Sequence, residues 1–190
     1  MSRKIPEFLT EEEQELLINV FNTRYFNSIR NKTIVILTLN SGLRLQEIID
    51  LKWKAINLST GQLKVVQGKG NKDRILWLSD YALENIREWR TKQHEKIGEC
   101  EYVFTTNTKK QIDAKAIRNM ITTYGIKAGI NKHITTHTLR HTYATDLLRA
   151  TKNIRLVQKA LGHADLSTTM IYTHIVDEEY EDALKTFRNK

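Results

Sequence analysis

Arg44, Lys69, His137, Arg140, His163 and Tyr172 stand in that order along a chain of 190 residues, and their side chains suit one reaction. A phosphodiester oxygen is anionic, and the pentavalent transition state of its cleavage gathers more charge on the non-bridging oxygens. Without a metal, a protein must meet that charge with guanidinium groups, whose forked donors bind phosphate bidentately and stay charged at any working pH. Arg44 and Arg140 are the candidates for that clamp. A phenol with a pKa of about 10 is a weak nucleophile at neutral pH, so Tyr172 needs a neighbour to take its proton and cations to favour its phenolate. The histidines and arginines offer both. The departing 5′-oxygen needs a proton, and Lys69, flanked by Gly68 and Gly70, can swing its ammonium into place as general acid.

Taken singly, these residues mean little. A tyrosine before a terminal helix is usually packing, a helical arginine is usually solvated, and Gly-Lys-Gly is most often a hairpin turn. Their joint appearance in one order is the signal. Rival sites are weaker. His137 and His141 are four apart, but Thr138 stands where a zincin has glutamate, and no cysteine or acidic cluster completes a shell, so no metal is expected. Gly68-Lys69-Gly70 lacks the spacing and the Lys-Ser/Thr pair of a Walker loop, and no cofactor is expected.

The elements that must position these groups are mostly helices. Apolar periodicity predicts helices near 10–22, 28–41, 45–50, 80–96, 114–128, 137–150, 153–161, 166–172 and 177–187. Thr10-Glu11-Glu12-Glu13 is a capping box before the apolar Leu16, Leu17 and Val20, and Gly42 is a C-terminal stop for the second helix. The run around Ile34 to Leu39 suits a buried helix. Leu63, Val65 and Gln67, then Ile75, Trp77 and Ser79, read as two short strands around the Gly68–Asn71 loop. In the segment from His137, Leu139, Tyr143, Leu147 and Leu148 form an apolar stripe, and the i,i+3 spacing lets His137 and Arg140 reach one phosphate. Gly98 to Lys110 is the loosest stretch, a loop around Tyr102-Val103-Phe104. Trp53, Trp77 and Trp89 are expected in the core or partly buried, rather than as base-stacking platforms. His141 is expected to bury or support its neighbours. The expected class is α+β, mainly helical, with a small antiparallel sheet.

Four motifs carry a resemblance that runs from about Ile5 to Phe187: Ser41-Gly42-Leu43-Arg44-Leu45-Gln46-Glu47, Gly68-Lys69-Gly70-Asn71-Lys72-Asp73-Arg74, His137-Thr138-Leu139-Arg140-His141, and Leu161-Gly162-His163 through Tyr172. They resemble the catalytic domain of the tyrosine recombinases, the phage-integrase family that includes the Xer enzymes. Thr is commoner there than Ser41. The resemblance implies a tyrosine-recombinase catalytic-domain fold over residues 1–190, without the N-terminal core-binding domain that most members carry. It implies that Tyr172 forms a 3′-phosphotyrosine, with Arg44 and Arg140 as transition-state clamps. His137 would act as base or relay, His163 would hydrogen-bond the phosphate, and Lys69 would be the acid. It further implies double-stranded DNA as partner, a homotetramer on paired recombination sites, and a terminal helix at 177–187 that docks on a neighbouring protomer; the alternative for that apolar stripe is packing on its own domain. A type IB topoisomerase-like enzyme and a non-catalytic DNA-binding regulator are the alternatives.

Composition agrees. The length suits one domain with a core of useful size. Cys100 is the only cysteine, so no disulfide framework exists and a reducing compartment is expected. No apolar run approaches a membrane span, so a soluble intracellular protein is expected, and the resemblance implies a prokaryotic cytoplasm. The net charge of +8 is unevenly spread: residues 1–16 carry −3 and residues 177–190 carry −2, leaving +13 on residues 17–176. A basic body with acidic ends suits a nucleic-acid footprint on one surface.

Overall fold

A computed structural model describes residues 7–66 and 73–162. Lys69, His163 and Tyr172 therefore lie outside the described residues, as do the Gly68–Asn71 loop and the helices expected near 166–172 and 177–187. Among the described residues the order is α1 (Glu11–Asn19), α2 (Phe26–Ser41), α3 (Leu45–Ile49), a 3-10 turn (Trp53–Ala55), β1 (Gln62–Val65) and β2 (Arg74–Trp77). Then follow α4 (Asp80–Ile97), α5 (Ala114–Lys127), α6 (Thr136–Thr151) and α7 (Ile154–Leu161). A mainly helical chain with one two-stranded antiparallel sheet among the described residues matches the expected class.

The core is built around α2, which packs on α4 and α6. Ile34, Val35, Ile36 and Leu37 are all fully buried, so this helix is covered on every side. Three of its buried hydroxyls are satisfied by bonding back to the helix. Thr33 donates to the Ile29 carbonyl at 2.9 Å, Thr38 to Ile34 at 2.7 Å and Ser41 to Leu37 at 2.6 Å. From α4, Trp89 is fully buried, lies 4.9 Å from the Phe26 ring and donates its indole N–H to the Val103 carbonyl at 2.7 Å. Gln93 donates to the Val103 carbonyl at 3.1 Å and to Thr105 Oγ1 at 2.9 Å. The loop after α4 is irregular, as expected, but it is fastened: Val103 and Phe104 are fully buried.

A smaller cluster of Ala144, Leu148, Val157 and Leu161 joins α6 to α7, with Tyr143 and Leu147 packed against it. The segment before α1 is tied to α6, because the Leu9 N–H donates to Thr142 Oγ1 at 2.9 Å and Gln14 donates to Asp146 at 3.0 Å. Thr10 caps α1 in the expected box with Glu13. Leu17 supplies the buried anchor of α1, whereas Leu16 is 52% exposed.

The sheet pairs Gln62 with Trp77, Leu63 with Leu76, Lys64 with Ile75 and Val65 with Arg74. The two-residue side-chain period then turns Leu63, Val65, Arg74 and Leu76 inward and Ile75 and Trp77 outward. This corrects the expectation for Trp77, which is 65% exposed, while Trp89 is fully buried.

Candidate active site

The site forms where three chain turns meet. The first is Gly42, which ends α2 in the left-handed conformation at φ +59° and donates its N–H to the Thr38 carbonyl at 2.9 Å. A side chain there would be strained by its backbone and would also meet the Tyr143 ring, with Cε1 at 2.9 Å. The chain thus leaves α2 sharply and delivers Arg44 as the extended N-cap residue of α3. Glu47, one turn on, accepts the Arg44 backbone N–H at 2.7 Å and its Nη1 at 3.1 Å.

The second turn is the start of α6. Thr135 is its N-cap, with a side-chain oxygen accepting from the Thr138 N–H at 3.2 Å. His137 lies in this first turn and is exposed, where the unpaired N–H groups and dipole of the helix favour an anion. Arg140, three residues on, is only 6% exposed. It turns inward, donating Nη1 to the Gly42 carbonyl and Nη2 to the Leu161 carbonyl at 2.8 Å. The third turn is the end of α7, capped by Gly162 at φ +65°. Arg44 Nη2 reaches the Gly162 carbonyl at 3.4 Å.

The two arginines singled out in the sequence, 96 positions apart in the numbering, therefore converge on neighbouring carbonyls. The structure brings together Arg44 and Arg140 and sets His137 one turn earlier on the same helix as Arg140. Lys69, His163 and Tyr172 fall in the segments that are not described. By chain order, Lys69 lies between β1 and β2, and His163 directly follows Gly162.

Electrostatics tune the surroundings. Burial, then His137 and Arg140, push the His141 imidazole down to about 4, so it is neutral at pH 7, as befits a supporting residue. Burial raises the Tyr143 phenol above its ordinary value, against the opposing pull of Arg74 and Arg140. Burial also opposes ionisation of Glu47, but hydrogen bonds from Arg74 and Arg44 and their charges hold its carboxyl below the ordinary range. Beside Arg44 a groove of about 550 Å³ runs between α3, the 3-10 turn and β1, lined by Lys52, Lys54 and Lys64 as well as Glu47 and Asp50. Among the described residues no group of three or more His, Cys, Asp or Glu side chains could hold a metal ion. No described helix is long and apolar enough to cross a membrane.

Three residues of this site were not assigned a role from sequence. Glu47 and Arg74 stood in the motifs as charged positions without a function, and Tyr143 as part of an apolar stripe. The available signal was Arg74 itself, a charged residue in phase with the inward-facing Leu76.

The phage integrase family matches residues 7–179 of the chain. The chain belongs to that family. A tyrosine recombinase of Thermosipho africanus (strain TCF52B) is 40% identical over 183 residues, covering 96% of this chain and 62% of that protein. The crystal structure of XerA recombinase superposes with a TM-score of 0.85 at 32% identity, over 99% of this chain and 67% of that one. A XerH site-specific recombinase, bound to palindromic difH substrate in a post-cleavage complex, gives a TM-score of 0.80 at 26% identity, over 98% and 54%. The chain thus spans less than two thirds of the Thermosipho africanus relative. The fold is that of a phage-integrase-family catalytic domain.

Proposed function

We propose that this chain is the catalytic unit of a site-specific DNA recombinase, with double-stranded DNA as substrate. The observation that carries this reading is the convergence of Arg44 and Arg140 on the end of α7, in a member of the phage integrase family. Two guanidiniums that reach neighbouring carbonyls, with the exposed His137 one turn before Arg140 on the same helix, would clamp one phosphate, the electrostatic arrangement that phosphoryl transfer demands.

In the proposed reaction, Tyr172 Oη attacks the scissile phosphorus. The phosphorus–O5′ bond breaks as the new phosphorus–Oη bond forms, leaving a 3′-phosphotyrosine and a 5′-hydroxyl. His137 acts as base or relay for the phenol proton, His163 hydrogen-bonds the phosphate, and Lys69 delivers a proton to O5′. Arg44 and Arg140 stabilise the charge on the non-bridging oxygens. The ester energy stays in the phosphotyrosine, so rejoining by the 5′-hydroxyl needs neither ATP nor metal. Recombinase rather than type IB topoisomerase or DNA-binding regulator is supported by the names of the relatives, since the Thermosipho africanus, XerA and XerH proteins are all recombinases.

Incubation with a genomic fragment library, followed by recovery of protein-linked DNA, tests the reading. Wild-type protein is expected to yield covalent adducts, while Tyr172→Phe binds DNA and yields none. An adduct formed by Tyr172→Phe sinks the assignment of the nucleophile.

Assembly as a homotetramer on paired sites belongs to the same proposal. Tyr180, Ala183, Leu184 and Phe187 recur at helical spacing behind the acidic Asp177, Glu178 and Glu179, a pattern suited to docking on protein rather than on DNA. Ending the chain after Val176 is expected to spare single-site cleavage and eliminate tetramers on native gels. Normal assembly by the shortened chain would remove the tail from that role.

A further inference from the structure

The proposed chemistry leaves one buried charged pair unused. Arg74 opens β2 on its inward face, and its side chain is 5% exposed against 12% for Glu47 and 36% for Arg44. Arg74 holds the Glu47 carboxylate as a fork on a fork, Nη1 to Oε1 and Nη2 to Oε2, both at 2.8 Å. The same two oxygens serve Arg44: Oε1 accepts its Nη1 at 3.1 Å and Oε2 its backbone N–H at 2.7 Å. Among the described residues each carboxylate oxygen thus accepts twice, as many bonds as the group has lone-pair sites. A carboxylate gripped from one side in a plane has one orientation to offer on the other, and Arg44 takes it.

The arrangement carries a cost that simple packing would not. Arg74 Nε is buried without a hydrogen-bond partner among the described residues, where an apolar side chain would have none to satisfy. What the guanidinium supplies in return is the second bidentate grip on Glu47. Among the described residues, the charged groups that bond to Glu47 are Arg44 at the head of its own helix and Arg74 on β2, with Tyr143 and Arg140 of α6 near Arg74 and Lys52, Lys54 and Lys64 lining the same groove.

We infer that Arg74 is a positioning residue of this site: by fixing the orientation of the Glu47 carboxylate it aims the Arg44 guanidinium at the scissile phosphate. The inference rests on the proposed function, in which Arg44 binds that phosphate. Arg74 touches no reacting atom and acts through Glu47.

The test is single-turnover covalent capture by the full chain on a duplex recovered from the library above, made with either oxygen or sulfur at the 5′-bridging position. Arg74→Gln is expected to slow capture about tenfold or more at saturating protein, as misaimed catalytic groups do. The loss is expected to be the same on both duplexes, because a clamp is needed whether or not the leaving atom needs a proton. The rate of this variant should also fall as pH falls, in a range where wild-type is flat, because a buried Glu47 without its fork takes up a proton more readily. Adding Glu47→Gln should remove that slope. Arg74→Lys, which keeps the charge, should remove the slope but not restore the full rate.

A rate for Arg74→Gln equal to wild-type, an absent pH slope, or selective recovery on the sulfur duplex would each overturn the inference. The last would assign Arg74 to the hairpin that carries Lys69. If Arg74→Gln does not melt cooperatively, Arg74→Lys takes its place, and a wild-type rate from it overturns the inference equally. Failure of wild-type to capture any DNA would instead sink the functional reading itself.

Discussion

Arg44 and Arg140 reach the same end of α7 but are held by different chemistry. Arg140 lies buried on α6 and, among the described residues, is held by the main-chain carbonyls of Gly42 and Leu161. Arg44 stands half-exposed at the head of α3 and is fixed mainly by a carboxylate, Glu47, that it shares with Arg74. Carbonyls orient a guanidinium without cancelling its charge, whereas a carboxylate orients it and neutralises part of it. The shared arrangement moderates that loss, since two arginines and one glutamate still leave one net positive charge. In the proposed clamp Arg140 is then the rigid arm and Arg44 the arm that needs support.

Substitution of the rigid arm is expected to cost the most. Arg140→Lys keeps a charge but cannot span Gly42, Leu161 and a phosphate, so covalent capture should fall about a hundredfold or more with DNA binding nearly intact. Arg44→Lys should lose less, about tenfold, because Glu47 remains to hold the ammonium. Parallel single-turnover assays decide it. Equal losses, or the reverse order, would show that the mode of support does not matter.

Gly42 serves both arms, as the carbonyl that Arg140 grips and as the turn that delivers Arg44. Gly42→Ala forces a side chain into the left-handed region and against Tyr143, and should destabilise the protein by about 2 kcal/mol. Denaturant melts measure this. An unchanged midpoint would mean that α6 yields easily and that the arms are not locked together.

The two arms also differ, more weakly, in their response to pH. His141, on the α6 arm, is held neutral in the fold at about 4 against an ordinary 6.5. Its unfolded form therefore binds the extra proton first, so its contribution is complete above 6.5 and is lost as pH falls towards about 4. Glu47 on the other arm is held below its ordinary 4.5, so its contribution is present above that value and is lost only at lower pH. Acidification should soften the α6 arm before the α3 arm. Melts at pH 7.5, 5.5 and 4.5, roughly spanning the ordinary histidine range, should show a decline that His141→Asn flattens. A decline of the same size in the variant would remove His141 as its source.

The sequence alone carried the helices whose signals are local. The Thr10 capping box, the Gly42 stop and the apolar run of Ile34 to Leu39 each state a local preference that packing then honoured. It also carried Arg44, His137 and Arg140 as candidates, because their chemistry is written in residue type and motif. What it could not state was who holds whom. The outward face of Trp77 depends on the register of Leu63 against Leu76, which is a property of two strands and not of either run. The pairing of Arg74 with Glu47 joins residues 27 apart, and that of Arg140 with Gly42 joins residues 98 apart. Residue types declare which charges are present, and only chain closure in three dimensions decides which oxygen each guanidinium finds. That choice is what separates a buried support from a working clamp.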